Sequence, residues 1–340
     1  MKKYLLLIAV GALTFSACSN DTVLEESTAQ NPQPKEIAFS PLAQPTTRAA
    51  VDGTEFPTAS AMQVAAYDVT NSRNFFTHTT FSYSSGTIWK GGKYWPLSAA
   101  YINFLAYTNF QGTAGSETNG ATWASDEASQ VTLVMTDNQT AQKDLMYAIG
   151  NGVVTQSGNS LTFPTNVPMV FKHAQAWISF YADAYDATSG GKVTLQSITL
   201  NGATYSGTYT ITHTAYSANT GQNVAGAWSA LGSTADVAVP NWTPAAIAYD
   251  GSGNGVAVGD GLMIVPDDNA ATADFTSFTI AYTLDGNDYT FTYTPATAAA
   301  ANVDQAKHYI YNINFHLHEI EISATVTDWV DQTPVNVPIL

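Results

Sequence analysis

Residues 309–326 read YIYNINFHLHEIEISATV, and this stretch decides the fold class. Tyr309, Tyr311, Ile313 and Phe315 fall on one side of an alternation whose other side carries Asn312 and Asn314. After a polar break, Ile320, Ile322, Ala324 and Val326 alternate with Glu319, Glu321, Ser323 and Thr325. A period of two gathers each apolar set on one face of an extended strand, whereas a helix would need a period near 3.6. Two strands are predicted, each with one face toward a core. Working outward, Tyr289, Phe291 and Tyr293 alternate with threonines and follow Asp285-Gly286-Asn287-Asp288, which reads as a hairpin turn. Ala176–Ala184 is apolar on both faces, as a doubly buried strand requires. Val131, Leu133 and Met135, the run Tyr101–Tyr107, and Met62, Val64 and Ala66 extend the pattern toward the front. Helix candidates are limited to one turn at 140–144 and a short connecting helix at 296–307. The Gly- and Asn-rich stretches 217–226 and 250–261 read as long loops. The chain is predicted to be all-β.

The front end sets the compartment. Lys2 and Lys3 precede an apolar run from Leu5 to Phe15, then Ser16-Ala17-Cys18. That run is too short for a membrane-spanning helix, which needs roughly 20 residues, so 1–18 reads as a signal peptide. Small residues directly before a cysteine resemble a lipobox, in which the Cys18 thiol receives a diacylglycerol. Cys18 is the single cysteine of 340 residues, so no intrachain disulfide can form. Residues 19–34 are polar, end in Pro32 and Pro34, and read as a tether.

Only 11% of residues are charged, with 11 Lys and Arg against 27 Asp and Glu, a net charge of −16. Beyond position 48 the cations are Arg73, Lys90, Lys93, Lys143, Lys172, Lys192 and Lys307. Such a surface repels phosphate backbones, so nucleic acid is not an expected partner. No G-x-S-x-G, G-x-G-x-x-G, P-loop, H-E-x-x-H or C-x-x-C pattern occurs, and no spacing suggests a catalytic set. The expectation is a non-enzyme with no cofactor and no metal. His316 and His318 could share a strand face as half a metal site, but a third ligand is missing. Asp250-Gly251-Ser252-Gly253-Asn254-Gly255 opens like a calcium loop, yet Gly261 stands where that loop needs a glutamate. Trp89, Trp95, Trp123, Trp228 and Trp242 could stack on sugars if exposed; packing in a core is the plainer reading.

Several segments together resemble the fimbrillins, the subunits of type V pili. They are Trp89-Lys90-Gly91-Gly92-Lys93-Tyr94-Trp95-Pro96, Asp144-Leu145-Met146-Tyr147-Ala148, Phe171-Lys172-His173-Ala174, and the final stretch from Tyr309 to Trp329. Residues 200–270 carry nothing that matches. The resemblance implies two β-sandwich domains of transthyretin-like, Greek-key type. With the boundary placed in the Gly-, Ser- and Pro-rich segment 150–168, the expected plan has five parts. These are a signal peptide (1–18), a propeptide (19–48), an N-terminal domain (49–166), a C-terminal domain (167–327) and a C-terminal donor segment (328–340).

The resemblance further implies an outer-membrane lipoprotein precursor, held by its lipid, that an arginine-specific protease trims and that polymerises by donor-strand exchange into a cell-surface fimbria. Its partners would be other fimbrial subunits (copies of itself, tip and anchor proteins), with adhesion to host or bacterial surface ligands. The parts such exchange needs are present. Ile37, Phe39 and Pro41 share one face of 36–43, a candidate removable strand. Arg48 and Ala49 follow between small residues, a candidate cleavage site, although Arg48 alone could equally be a linker cation. Val335, Val337 and Ile339 share one face of an apolar tail, a candidate donor strand, whose rival role is to close the sheet of its own domain. An alternative reading is a tip adhesin or a glycan-binding surface lipoprotein.

Overall fold

The computed structural model describes residues 33–43, 58, 61–110, 121–125, 130–135, 138–140, 142–184, 192–212, 226–249, 255–267, 269, 271–316 and 320–328. Ten strands come from the first half: β1 (Glu36–Ala43), β2 (Ala61–Asp68), β3 (Arg73–Ser85), β4 (Ile88–Tyr94), β5 (Ala100–Phe110), β6 (Ala121–Ser125), β7 (Gln130–Met135), β8 (Asp144–Ser157), β9 (Ser160–Thr162) and β10 (Val167–His173). The second half supplies β11 (Ala176–Ala184), β12 (Val193–Thr204), β13 (Gly207–Thr212), β14 (Ala227–Ser229), β15 (Thr234–Ala238), β16 (Ala245–Ala246), β17 (Val256–Ile264), β18 (Ser277–Leu284), β19 (Asn287–Tyr293), β20 (Lys307–Phe315) and β21 (Ile320–Asp328). The fold is all-β, as the alternation predicts.

The first sheet runs β10-β1-β4-β3-β2-β5-β8-β9, and β8 also pairs β10. The sheet therefore closes into a ring with β9 appended. Inside it pack Met62, Val64, Phe81, Ile102, Phe104 and Met146. Two further sheets, β17-β11-β20-β21 and β15-β12-β18-β19, face each other in the second half. Ile178, Phe180, Ile198, Leu200, Phe278, Ile280, Tyr311 and Ile313 fill the layer between them. The doubly apolar β11 lies between antiparallel β17 and parallel β20. It is buried along both faces except at Tyr181.

A fourth sheet, β14-β13-β7-β6, takes two strands from each half. β7 pairs β13 from Gln130 opposite Thr212 to Met135 opposite Gly207. Val131, Leu133 and Met135 join Tyr209, Ile211 and Trp228 in a third core, backed by Leu105, Tyr107, Leu145 and Tyr147 on the outer face of the ring. The two halves thus share a sheet and a core.

The hairpin expected at 285–288 forms between β18 and β19. Asp285 and Gly286 turn the chain with φ of 50° and 80°, the paired positive values of a type I′ turn. Two local expectations need correcting. The connecting helix at 296–307 is a single 3-10 turn, Ala298–Ala301, capped by the Thr297 hydroxyl. The loop at 250–261 gives way to β17 from Val256 onward. Gly259 and Gly261 (φ 57° and 75°) place a bulge opposite Ile178–Phe180, so glycines that suggest a loop instead bend a strand.

Candidate functional site

The site is the place held by β1. This strand lies between β4, which it pairs antiparallel, and β10, which it pairs parallel from Phe39 opposite Val167 to Ala43 opposite Phe171. Ile37 and Phe39 are completely buried. Phe39 meets Phe81 and Phe104 edge-on at 4.7 and 5.0 Å. Burying two such side chains stabilises the seated strand by about 1.5–3 kcal/mol each. Polar contacts fix its register. The Trp95 N–H donates to the Lys35 carbonyl at 2.9 Å. Glu36 accepts from the Gly92 N–H at 3.1 Å and pairs with Lys90 at 3.1 Å. The Asn166 amide donates to the Ser40 hydroxyl. The Lys90–Glu36 pair is partly exposed, so it contributes to alignment more than to stability.

Three of the four motif segments converge on this ring, while the stretch from Tyr309 forms β20 and β21 of the second half. Trp89 and Trp95, from the first motif, are both buried in its core, and Trp95 lies over Gly152 of β8. In the second motif Met146 and Ala148 point into the ring, while Leu145 and Tyr147 point into the shared core. The third motif ends β10. There His173 Nδ1 donates to Asp144 Oδ1 at 2.9 Å, with both side chains fully buried. Around this pair the Ala174 N–H donates to the Leu145 carbonyl at 2.8 Å. The Leu145 N–H donates to the Gln175 side chain at 2.9 Å, and Trp228 Nε1 donates to the Ala174 carbonyl at 2.6 Å. Sequence reasoning finds Asp144 and His173 as members of separate motifs and misses their contact. The available signal is slight: Asp144 opens one apolar run, and His173, beside Lys172, closes another.

The remaining predicted site residues, Cys18, Arg48, Ala49, Val335, Val337 and Ile339, lie outside the described residues. β1 itself ends at Ala43, just ahead of Arg48. Four of the five tryptophans singled out from the sequence offer little to a sugar. Trp89, Trp95 and Trp228 are buried, and the half-buried Trp242 donates its Nε1 to the Leu195 carbonyl at 3.2 Å. Among the described residues no group of three or more His, Cys, Asp or Glu side chains is placed to hold a metal ion. His316 faces Glu321 at 3.5 Å, and His318 is outside the described residues. His308 stacks on Trp177 at 3.8 Å and meets the Ser179 hydroxyl at 2.7 Å. Burial pushes its pKa down to about 3, so the ring is neutral at neutral pH.

The ring closed by its own first described strand, and the packed sheets beside it, define an all-β protein of the β-sandwich class. The chain belongs to the fimbrillin-like family, whose model matches residues 47–329. No curated protein matches the sequence. Among solved structures, a candidate cell adhesion protein from Bacteroides uniformis is 17% identical with a TM-score of 0.50, covering 87% of this chain and 99% of its own. One from Bacteroides ovatus is 13% identical with a TM-score of 0.50, covering 89% and 100%. The tip fimbrial protein Mfa3 from Porphyromonas gingivalis, with a C-terminal truncation, is 14% identical with a TM-score of 0.42, covering 87% and 100%. At these identities the first two likenesses establish the fold.

Proposed function

We propose that this chain is a pilin of a cell-surface fimbria that polymerises by donor-strand exchange. In this reading the precursor is exported with its signal peptide, lipidated at Cys18 and held at the outer membrane. An arginine-specific protease then cuts between Arg48 and Ala49. β1 leaves with the propeptide, and Val335, Val337 and Ile339 of another copy take its place. The partners are further fimbrial subunits, and the assembled fibre supports adhesion.

One observation carries the reading. β1 is a short strand wedged between two partners and lies ahead of Arg48 in the sequence, yet it fills the ring core with Ile37 and Phe39. Losing it would expose Phe81 and Phe104 and leave unpaired backbone on both β4 and β10. An added strand with apolar residues at alternate positions satisfies both needs. The spacing of Val335, Val337 and Ile339 matches that of Ile37, Phe39 and Pro41. The glycan-binding alternative draws no support from Trp89, Trp95 and Trp228, which are buried.

The test is electron microscopy of purified precursor before and after limited digestion with an arginine-specific protease, beside an Arg48→Ala variant. Fibres from the cleaved wild type alone are expected. Fibres from uncleaved protein, or from Arg48→Ala, would contradict the gating role of the cut.

A further inference from the structure

The chain holds two arginines, and each stands the same short step beyond a strand of the ring: Arg48 after Ala43 of β1, and Arg73 after Asp68 of β2. In the cleavage reading, on which this inference rests, the first is cut and β1 leaves. A cut after the second would part β2 from β3. β2 lies between β3 and β5 and brings Met62 and Val64 to the ring core, so the ring would be severed at a strand it needs. Exposure does not spare Arg73. Residues 69–74 are all exposed, and the arginine side chain is 63% accessible. An exposed loop tip is where a protease ordinarily cuts.

What distinguishes this loop is how it is tied. Asp68 is fully buried, and its carboxylate reaches up into the turn. Oδ1 accepts from the Asn71 N–H at 3.2 Å, and Oδ2 accepts from the Asn71 side-chain amide at 2.7 Å and faces Arg73 Nε at 3.5 Å. On the side toward β5 the Val69 N–H donates to the Tyr101 carbonyl, and the Tyr101 N–H donates to the Thr70 hydroxyl, both at 2.9 Å. Between these ties Ser72 has a φ of 50°, a left-handed conformation that costs a serine energy and persists only where its surroundings hold it. Asp68 opposite Arg73 is also the last rung of the β2–β3 ladder, whose register shifts on both sides of Ala66. End rungs open first, and a protease needs an opened stretch of chain, not merely an exposed side chain. We propose that Asp68 locks this turn and so shields the Arg73–Asn74 bond from the arginine-specific protease, confining maturation to the removal of β1. Most of the restraint comes from the two bonds to Asn71, because an ion pair to an exposed guanidinium contributes little. Asp68 is a positioning residue in this account, acting on the turn and not on the protease.

The test is limited digestion of the full chain with an arginine-specific protease, the fragments being weighed by mass spectrometry. Wild type should be cut after Arg48 while the bond after Arg73 stays intact. Asp68→Ala should be cut after Arg73 about ten-fold faster than wild type or more, because cleavage tracks the population of the opened loop. Asn71→Ala, at an exposed position that leaves the core untouched, should speed the same cut about three-fold. Asp68→Asn, which keeps an acceptor for the Asn71 N–H, should fall between wild type and Asp68→Ala. A lysine-specific protease separates local opening from general unfolding: cleavage after Lys90 and Lys93 of β4 should stay within about twofold of wild type in all three variants. Wild type cut as fast at Arg73 as at Arg48, or variants no faster at Arg73 than wild type, would overturn the lock. Should Asp68→Ala also open Lys90 and Lys93, the exposed Asn71→Ala decides the question. If Arg48 itself resists the protease, the cleavage reading fails, and the comparison at Arg73 still decides the lock.

Discussion

Asp144 and His173, 29 positions apart, meet at 2.9 Å in a site closed to solvent, and through them the motif that opens β8 is bonded to the motif that ends β10. Two sequence signatures that look independent are the two halves of one contact. The expected cost of breaking it depends on how it is broken. Asp144→Ala leaves the His173 donor buried without its acceptor and should lower stability by about 1.5–3 kcal/mol. Asp144→Asn should cost clearly less. Urea denaturation with unchanged m-values would measure both, and equal losses would mean that the hydrogen bond is not what Asp144 provides.

Phe39 is the largest side chain that β1 brings to the ring. Truncating it to alanine should destabilise the precursor by about 3–5 kcal/mol, because the cavity between Phe81 and Phe104 cannot collapse while the ring is closed. Ser40→Ala, at a half-buried position with one side-chain contact, should cost about 1 kcal/mol. Denaturation midpoints that rank the two the other way would show that β1 is held by polar register contacts and not by its apolar face.

Trp95 covers Gly152 so closely that a Cβ there would clash with the indole atoms Cη2 and Cζ3. Gly152→Ala is therefore an overpacking change, expected to cost about 1–3 kcal/mol and to shift the near-ultraviolet signature of the indole. Trp95→Phe in the same chain should recover part of the loss. Thermal melts of the two variants check this, and a neutral Gly152→Ala would mean that the indole can move aside freely.

His308 gives the acid limb of stability a definite sign. Its folded pKa is about 3, depressed by burial, against about 6.5 in the unfolded chain. Between these values the unfolded state binds the extra proton, so stability falls as pH drops from 6.5 toward 3 and gains no further slope from this residue below that. The slope contributed is about 1.4 kcal/mol per pH unit. His308→Gln should flatten the limb by that amount; an unchanged slope would mean that the ring is hydrated in the folded protein.

What the sequence reveals and what it hides divide along physical lines. Alternation at Tyr309–Phe315 and the double-faced run Ala176–Ala184 announce their strands because one or two faces of each are buried locally. The Asp285-Gly286 turn is legible because positive φ selects its residue types. Partners distant in sequence are not legible. Nothing local says that β1 lies parallel to β10, that Val131–Met135 pairs with a strand of the other half, or that Asp144 meets His173. Gly259 and Gly261 mislead because glycine serves loops and bulges alike.

The measurement that bears most directly on the account is strand competition on the cleaved chain. A labelled peptide of residues 333–340 is added to protein cut after Arg48, and released fragments are weighed by mass spectrometry. The account predicts that the peptide binds at one copy per chain while the fragment carrying β1 is released, and that a peptide with Val337→Asp does neither. Binding with the β1 fragment still seated, or fibres growing while that fragment stays bound, would contradict the exchange of one strand for the other.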